Sequence, residues 1–142
     1  MLSINEQVRF ADTDMLGVVH HANYFRWFES ARVAFLKQAG VDLWDLMNNG
    51  YSFPISDARC AYKSPARYDD ELVVNIAMRE LSRAKMTFDY EVWRPKDAKL
   101  LAEGYTCNVF TDAAGRVTRL RDVFYRRLYD FYQAQKSEGG GR

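Results

Sequence analysis

Period-two alternation is clearest over residues 85–92, where Met86, Phe88, Tyr90 and Val92 oppose Lys85, Thr87, Asp89 and Glu91, and it recurs in Leu72, Val74, Ile76 and Met78. Side chains two apart share one face of a strand, so each run predicts a strand with one buried side. The two strands span residues 71–82 and 84–94, and the short link at residues 82–85 pairs them as a hairpin. Residues 52–63 and 100–111 read as two more strands, while Pro95-Lys96-Asp97-Ala98 and Asp112-Ala113-Ala114-Gly115 have turn composition. Residues 4–11 alternate as well, with Ile4, Glu6, Val8 and Phe10 on one side and Asn5, Gln7 and Arg9 on the other, which predicts a strand at the front.

The spacing changes at Tyr24. Apolar residues recur at Tyr24, Trp27, Phe28, Ala31, Ala34 and Phe35, with Arg26, Glu29, Ser30 and Lys37 opposite, so a long helix is expected to run to Gly40. Phe25, Val33 and Leu36 widen its apolar stripe, which predicts a helix lying deep within a curved sheet. A short helix over residues 42–48 stops at Asn49-Gly50, and a last one covers residues 123–136. Strand, long helix and then four long, mostly antiparallel strands make an α+β pattern with helices segregated to one face. Residues 1–136 are expected to form a single domain, and residues 137–142, with three consecutive glycines, a disordered tail.

Composition narrows the partners. A chain of 142 residues that is 48% apolar has room for one full core. Its net charge of +1 lacks the basic excess that general nucleic-acid binding needs, so no nucleic-acid partner is expected. Residues 1–10 carry no apolar signal core, and no run approaches the roughly 20 apolar residues of a membrane span. A soluble, cytoplasmic protein without a membrane span is therefore expected. Cys60 and Cys107 sit inside strand-like runs without the neighbours of a zinc site or redox pair and read as buried thiols.

The chemistry concentrates in residues 12–24, Asp-Thr-Asp-Met-Leu-Gly-Val-Val-His-His-Ala-Asn-Tyr, which set carboxylates, a glycine turn and two histidines just ahead of the long helix. Free amides at a helix start favour developing negative charge, and a nearby carboxylate can attack or activate water. By residue type alone, Asp14 reads first as a loop cap, since aspartate in turns favours local hydrogen bonds. Gly17 permits a bend that a side chain would oppose. Adjacent His20 and His21 without a third ligand make a weak metal signal, so no metal is expected. A dyad in which His21 deprotonates water stands beside a role in shaping the site. No Gly-x-Ser-x-Gly elbow is present.

The stretch closely resembles the start of hotdog-fold thioesterases of the 4-hydroxybenzoyl-CoA thioesterase and YbgC-like family. Residues 62–72, Tyr-Lys-Ser-Pro-Ala-Arg-Tyr-Asp-Asp-Glu-Leu, and the Glu80-Leu81-Ser82-Arg83 turn resemble that family too, so the likeness spans residues 8–123. The resemblance implies a hotdog fold, a curved antiparallel sheet of about five strands around a long central helix, and acyl-CoA thioester hydrolysis without a cofactor. It implies that Asp14 acts as general base or nucleophile while the amide at His21 donates to the thioester carbonyl. Asp12 stays a cap or turn residue. Gly17 and Tyr24 shape the substrate site, with Trp27, Phe53, Ile55 and Tyr62 as candidate acyl lining. Arg83, Lys85, Arg119 and Arg121 become candidates for the phosphates of coenzyme A, although such charges on turns read otherwise as solvated surface. Glu29 invites comparison with a second branch of the fold that uses a helical glutamate, but its flanks differ, and an ion pair with Arg26 or Arg32 is expected.

Carrier-protein thioesters form an alternative substrate, a non-catalytic acyl-CoA-binding module is an alternative of another class, and a hydratase is disfavoured because both histidines lie at positions 20 and 21. A sheet of about five strands leaves open edges, so a homodimer or homotetramer is expected. The family resemblance adds that each active site lies at the subunit boundary.

Overall fold

The computed structural model describes residues 2–140. Strand β1 (Leu2–Gln7) is followed by helices α1 (Asn23–Gln38) and α2 (Leu43–Asn48), then β2 (Ile55–Tyr62), β3 (Glu71–Leu81), β4 (Lys85–Arg94), β5 (Lys99–Val109) and α3 (Asp122–Gly140). The strands form one antiparallel sheet in the order β1-β3-β4-β5-β2. The sheet curves around α1, which is the α+β hotdog arrangement expected.

The core is the contact between α1 and the inner sheet face. Tyr24, Trp27, Phe28, Ala31, Phe35 and Leu36 are the buried residues of the helix, and they meet Leu72, Val74, Ile76 and Met78 from β3 with Met86, Phe88, Tyr90 and Val92 from β4. Phe28 stacks on Tyr90 with ring centroids 4.2 Å apart, and Phe35 meets Phe88 edge-on at 5.1 Å. Opposite Tyr90, β5 carries Gly104. A methyl group there would lie 3.0 Å from a Phe28 ring carbon and inside van der Waals contact of the Arg59 carbonyl oxygen, so only glycine admits the helix this close. The helix stops where Gly40, at φ +81°, reverses the chain and Val41 donates back to the Leu36 carbonyl at 2.9 Å.

Three boundaries differ from the expectation. The first strand ends at Gln7, because residues 10–12 coil into one 3-10 turn and leave Phe10 77% exposed. The second begins at Ile55, since Pro54 brings no N–H to the ladder. The last helix continues past Lys136 to Gly140; residues 141–142 of the expected tail lie outside the described residues. Gln135 ties that helix to the sheet by donating to the Met78 carbonyl and accepting from its amide, both at 2.9 Å.

Among the described residues, strand β2 pairs only with β5, and most of its residues are exposed. No helix among the described residues is long and apolar enough to cross a membrane.

Candidate active site

The loop from β1 to α1 is organised by Asp12, which is 2% exposed. Its carboxylate accepts from the Arg26 guanidinium at 2.6 Å and from the Arg9 amide at 2.8 Å, while its carbonyl accepts from the His20 amide at 2.8 Å and the Asn23 side chain at 2.9 Å. Two arms of the loop are thereby fastened to the first turn of α1. The expected structural role of Asp12 is what the geometry shows, and because Arg26 turns to Asp12 it does not serve Glu29. Arg32 also turns away, donating to the Tyr90 hydroxyl at 3.1 Å. The expected Glu29 ion pair therefore does not form among the described residues: both arginines find partners across the fold.

Between these arms lies a tight turn. Asp14 donates its amide to the Val18 carbonyl at 2.8 Å, and Gly17, at φ +77°, donates to the Asp14 carbonyl at 3.1 Å. An L side chain rarely adopts that φ, which accounts for the glycine. The Asp14 carboxylate accepts the Leu16 amide at 2.8 Å and is otherwise exposed. Val19 donates to the Ala66 carbonyl at 2.9 Å and so joins the turn to the segment after β2.

A groove of about 360 Å³ opens there, lined by Asp14, Val19, His21, Tyr24, Tyr62 and residues 63–65. Asp14, His21 and Tyr24 are thus brought together, and Gly17 shapes the turn that carries Asp14. The helix start has no side-chain cap, and the His21 amide has no acceptor among the described residues. Tyr62 donates its hydroxyl to the His21 carbonyl at 3.0 Å and sets its ring edge-on to Tyr24 at 5.1 Å. Loss of water around that hydroxyl, with the neighbouring Cys60 thiol, pushes the phenol up to about 12, and burial raises Tyr24 and Cys60 as well.

The remaining candidates lie elsewhere. Trp27 is wholly buried in the core, whereas Phe53 and Ile55 line a separate cleft of about 280 Å³ with Glu29, Arg32 and Asn108. Arg83, Lys85, Arg119 and Arg121 sit at the opposite end of the sheet from the groove, roughly 30 Å away at about 3.3 Å per residue along β4. Arg83 pairs with Asp122 and lies 4.5 Å over the Tyr125 ring, and Arg121 donates to Asn49 at 3.1 Å. Lys85 and Arg119 are exposed. Within one chain these four residues do not reach the groove. Ser64 and Pro65 are wall residues that the sequence reading missed, since nothing in their type marks a wall; their signal was position, directly after Tyr62.

A family model described as the thioesterase-like superfamily matches residues 8–128. A putative esterase of Aquifex aeolicus is 40% identical over 72% of this chain and 80% of its own length. A putative acyl-CoA thioesterase of Bacillus subtilis, YneP, is 34% identical over 63% of this chain and 64% of its own length, so the chain spans just under two thirds of that relative. Among solved structures, the DHNA-CoA thioesterase of Staphylococcus aureus superposes with a TM-score of 0.88 at 27% identity, covering 96% of this chain and 93% of that one.

Proposed function

The chain belongs to the thioesterase-like superfamily, and we propose that it hydrolyses an acyl-CoA to coenzyme A and a free carboxylic acid at the groove beside α1. The observation that carries this reading is the meeting in one groove of Asp14 and His21, whose amide has no acceptor among the described residues. The thioester carbonyl would lie against the helix start, where the amide stabilises the oxygen as it becomes negative. Asp14 either deprotonates a water that adds to the carbon or attacks it directly, giving a mixed anhydride that water then opens. In the first route the departing thiolate of coenzyme A takes the proton that Asp14 removed from water; in the second it leaves as the thiolate and is protonated from the water that opens the anhydride. Coenzyme A enters as part of the substrate, so the proposed reaction calls on no metal or redox cofactor. The Bacillus relative is named for acyl-CoA substrates and the Staphylococcus neighbour for a DHNA-CoA thioester, which supports coenzyme A as the leaving group. The proposed setting is the cytoplasm.

A second copy completes the proposal. Antiparallel pairing of the open β2 edges would carry the second copy's β3–β4 turn, with its basic residues, to the groove's end of the joint sheet. That turn would stand three strand spacings from β2, about 14 Å, against roughly 30 Å within one chain. Such a dimer makes Arg83, Lys85, Arg119 and Arg121 of one subunit candidates for the nucleotide end of a thioester held by the other.

Thiol release from a panel of acyl-CoAs, wild type beside Asp14→Asn, tests the reading. Loss of only a few-fold in the variant removes Asp14 from the chemistry. A strong preference for carrier-protein thioesters moves the substrate class, and tight acyl-CoA binding without turnover favours the binding module.

A further inference from the structure

Two successive peptide units at the start of α1 are clamped. The His20 carbonyl accepts the Asn23 amide at 3.0 Å, and the His21 carbonyl accepts the Tyr24 amide at 3.3 Å and the Tyr62 hydroxyl at 3.0 Å. A trans peptide is planar, so its C=O and N–H point opposite ways and holding one holds the other. The first clamp therefore sets the His21 N–H and the second sets the Ala22 N–H. Neither amide has an acceptor among the described residues.

Tyr62 reaches this helix start from a different element, the last residue of β2, and its ring is located independently by edge-on contacts to Tyr24 at 5.1 Å and His21 at 6.3 Å. A phenol pushed up to about 12 stays protonated over the working range of most enzymes and so remains a donor. We propose that Tyr62 is a positioning residue which, by holding the His21 carbonyl, aims the Ala22 amide as a second oxyanion donor beside the amide of His21. The inference rests on the thioester-hydrolysis reading and adds to it a donor and the side chain that orients it. Charge that grows on the carbonyl oxygen during addition is then shared by two amides of one helix turn, and the ground-state carbonyl, being nearly neutral, gains much less.

Tyr62→Phe keeps the ring and removes only the hydroxyl. Losing an oxyanion donor outright costs about 10²- to 10³-fold, so misaiming one should lower kcat about tenfold while KM stays within about twofold. Binding of a thioether analogue, which forms no oxyanion, should be unchanged. Binding of a trifluoromethyl ketone analogue of the same acyl-CoA should weaken in step with kcat, whereas a merely structural role would weaken both analogues alike. Tyr62→3-fluorotyrosine, which retains the hydroxyl, should recover most of the kcat that Tyr62→Phe loses; it also provides the comparison if the phenylalanine variant folds poorly, because a kcat as low as that of Tyr62→Phe would then overturn the proposal. In the amide spectrum of the intact protein the Ala22 resonance should shift on Tyr62→Phe. An unchanged kcat, equal weakening of the two analogues or an unmoved Ala22 resonance each overturns the inference. A wild type that releases no thiol from any thioester would instead sink the hydrolysis reading, and the Ala22 resonance would still decide whether Tyr62 holds that peptide.

Discussion

Replacing Asp12 by alanine should loosen the loop that carries Asp14 while leaving the sheet intact. The Asp12 side chain is 3% exposed, so its hydrogen bonds are made out of water, but the Arg26 side chain is 41% exposed and can rehydrate once released. A bond to a charged partner contributes about 1.5–3 kcal/mol, which we halve for that rehydration. The cap-like bond to the Arg9 amide adds about 1 kcal/mol. The two backbone bonds to the Asp12 carbonyl survive the change. The expected loss is about 2 kcal/mol, or about 4–8 °C in Tm for a domain of this size. Urea unfolding of wild type, Asp12→Ala, Arg26→Met and the double variant would measure it, with a coupling of about 1 kcal/mol expected between the two sites. Thiol release should also fall, because Asp14 and His21 lie on the two arms that Asp12 joins. A loss below about 0.5 kcal/mol with full activity, the range of an ordinary surface change, would refute Asp12 as the anchor of the loop.

Asp14→Asn should cost about 100-fold or more in kcat with no change in Tm, since that carboxylate is exposed and accepts only one amide; calorimetry beside the thiol assay checks both. Gly104→Ala should destabilise by about 1–3 kcal/mol through overpacking against Phe28 and the Arg59 carbonyl, read by urea unfolding. The Tyr62 phenol, at about 12 in the folded chain against an ordinary 10, favours the folded state fully below pH 10 and loses that advantage as pH rises from 10 to about 12. Stability should therefore fall less steeply across that window in Tyr62→Phe than in wild type, measured by denaturant unfolding at successive pH values. Gln135→Ala should release the last turns of α3 at a cost of about 1–2 kcal/mol and speed amide exchange at Met78, which loses its side-chain partner.

Most strands and helices were legible because their burial is written in their own period: β3 alternates buried and more exposed residues from Glu71 to Met78, and α1 shows its buried stripe at helical spacing. Asp14, Gly17, His21 and Tyr24 were legible as a group because one continuous loop and helix start carries them all. What escaped depends on partners far along the chain. Phe10 continues the alternation of β1, yet Asp12 draws the chain into a turn by taking the Arg9 amide and an arginine from α1. Glu29 has arginines at helical distance, but Asp12 and Tyr90 hold them more firmly from inside the fold. Spacing also says nothing about which end of a ten-residue strand faces the groove, so it does not reveal that the basic residues around Arg83 and Arg121 lie at the far end from Asp14 within one chain.

Gly104 also acts as a gauge of distance at the proposed active site. Phe28, the residue it admits, lies six residues beyond Ala22 on the same rigid helix, about 9 Å along its axis. Asp14 belongs to a loop fastened partly to that helix and partly to the segment after β2, so lifting α1 off the sheet would not move the carboxylate and the helix-start amides equally. A single methyl group between the sheet and Phe28 would thus be felt as a changed gap between the Asp14 carboxylate and the helix-start amides, the groups to which the proposed reaction assigns its chemistry.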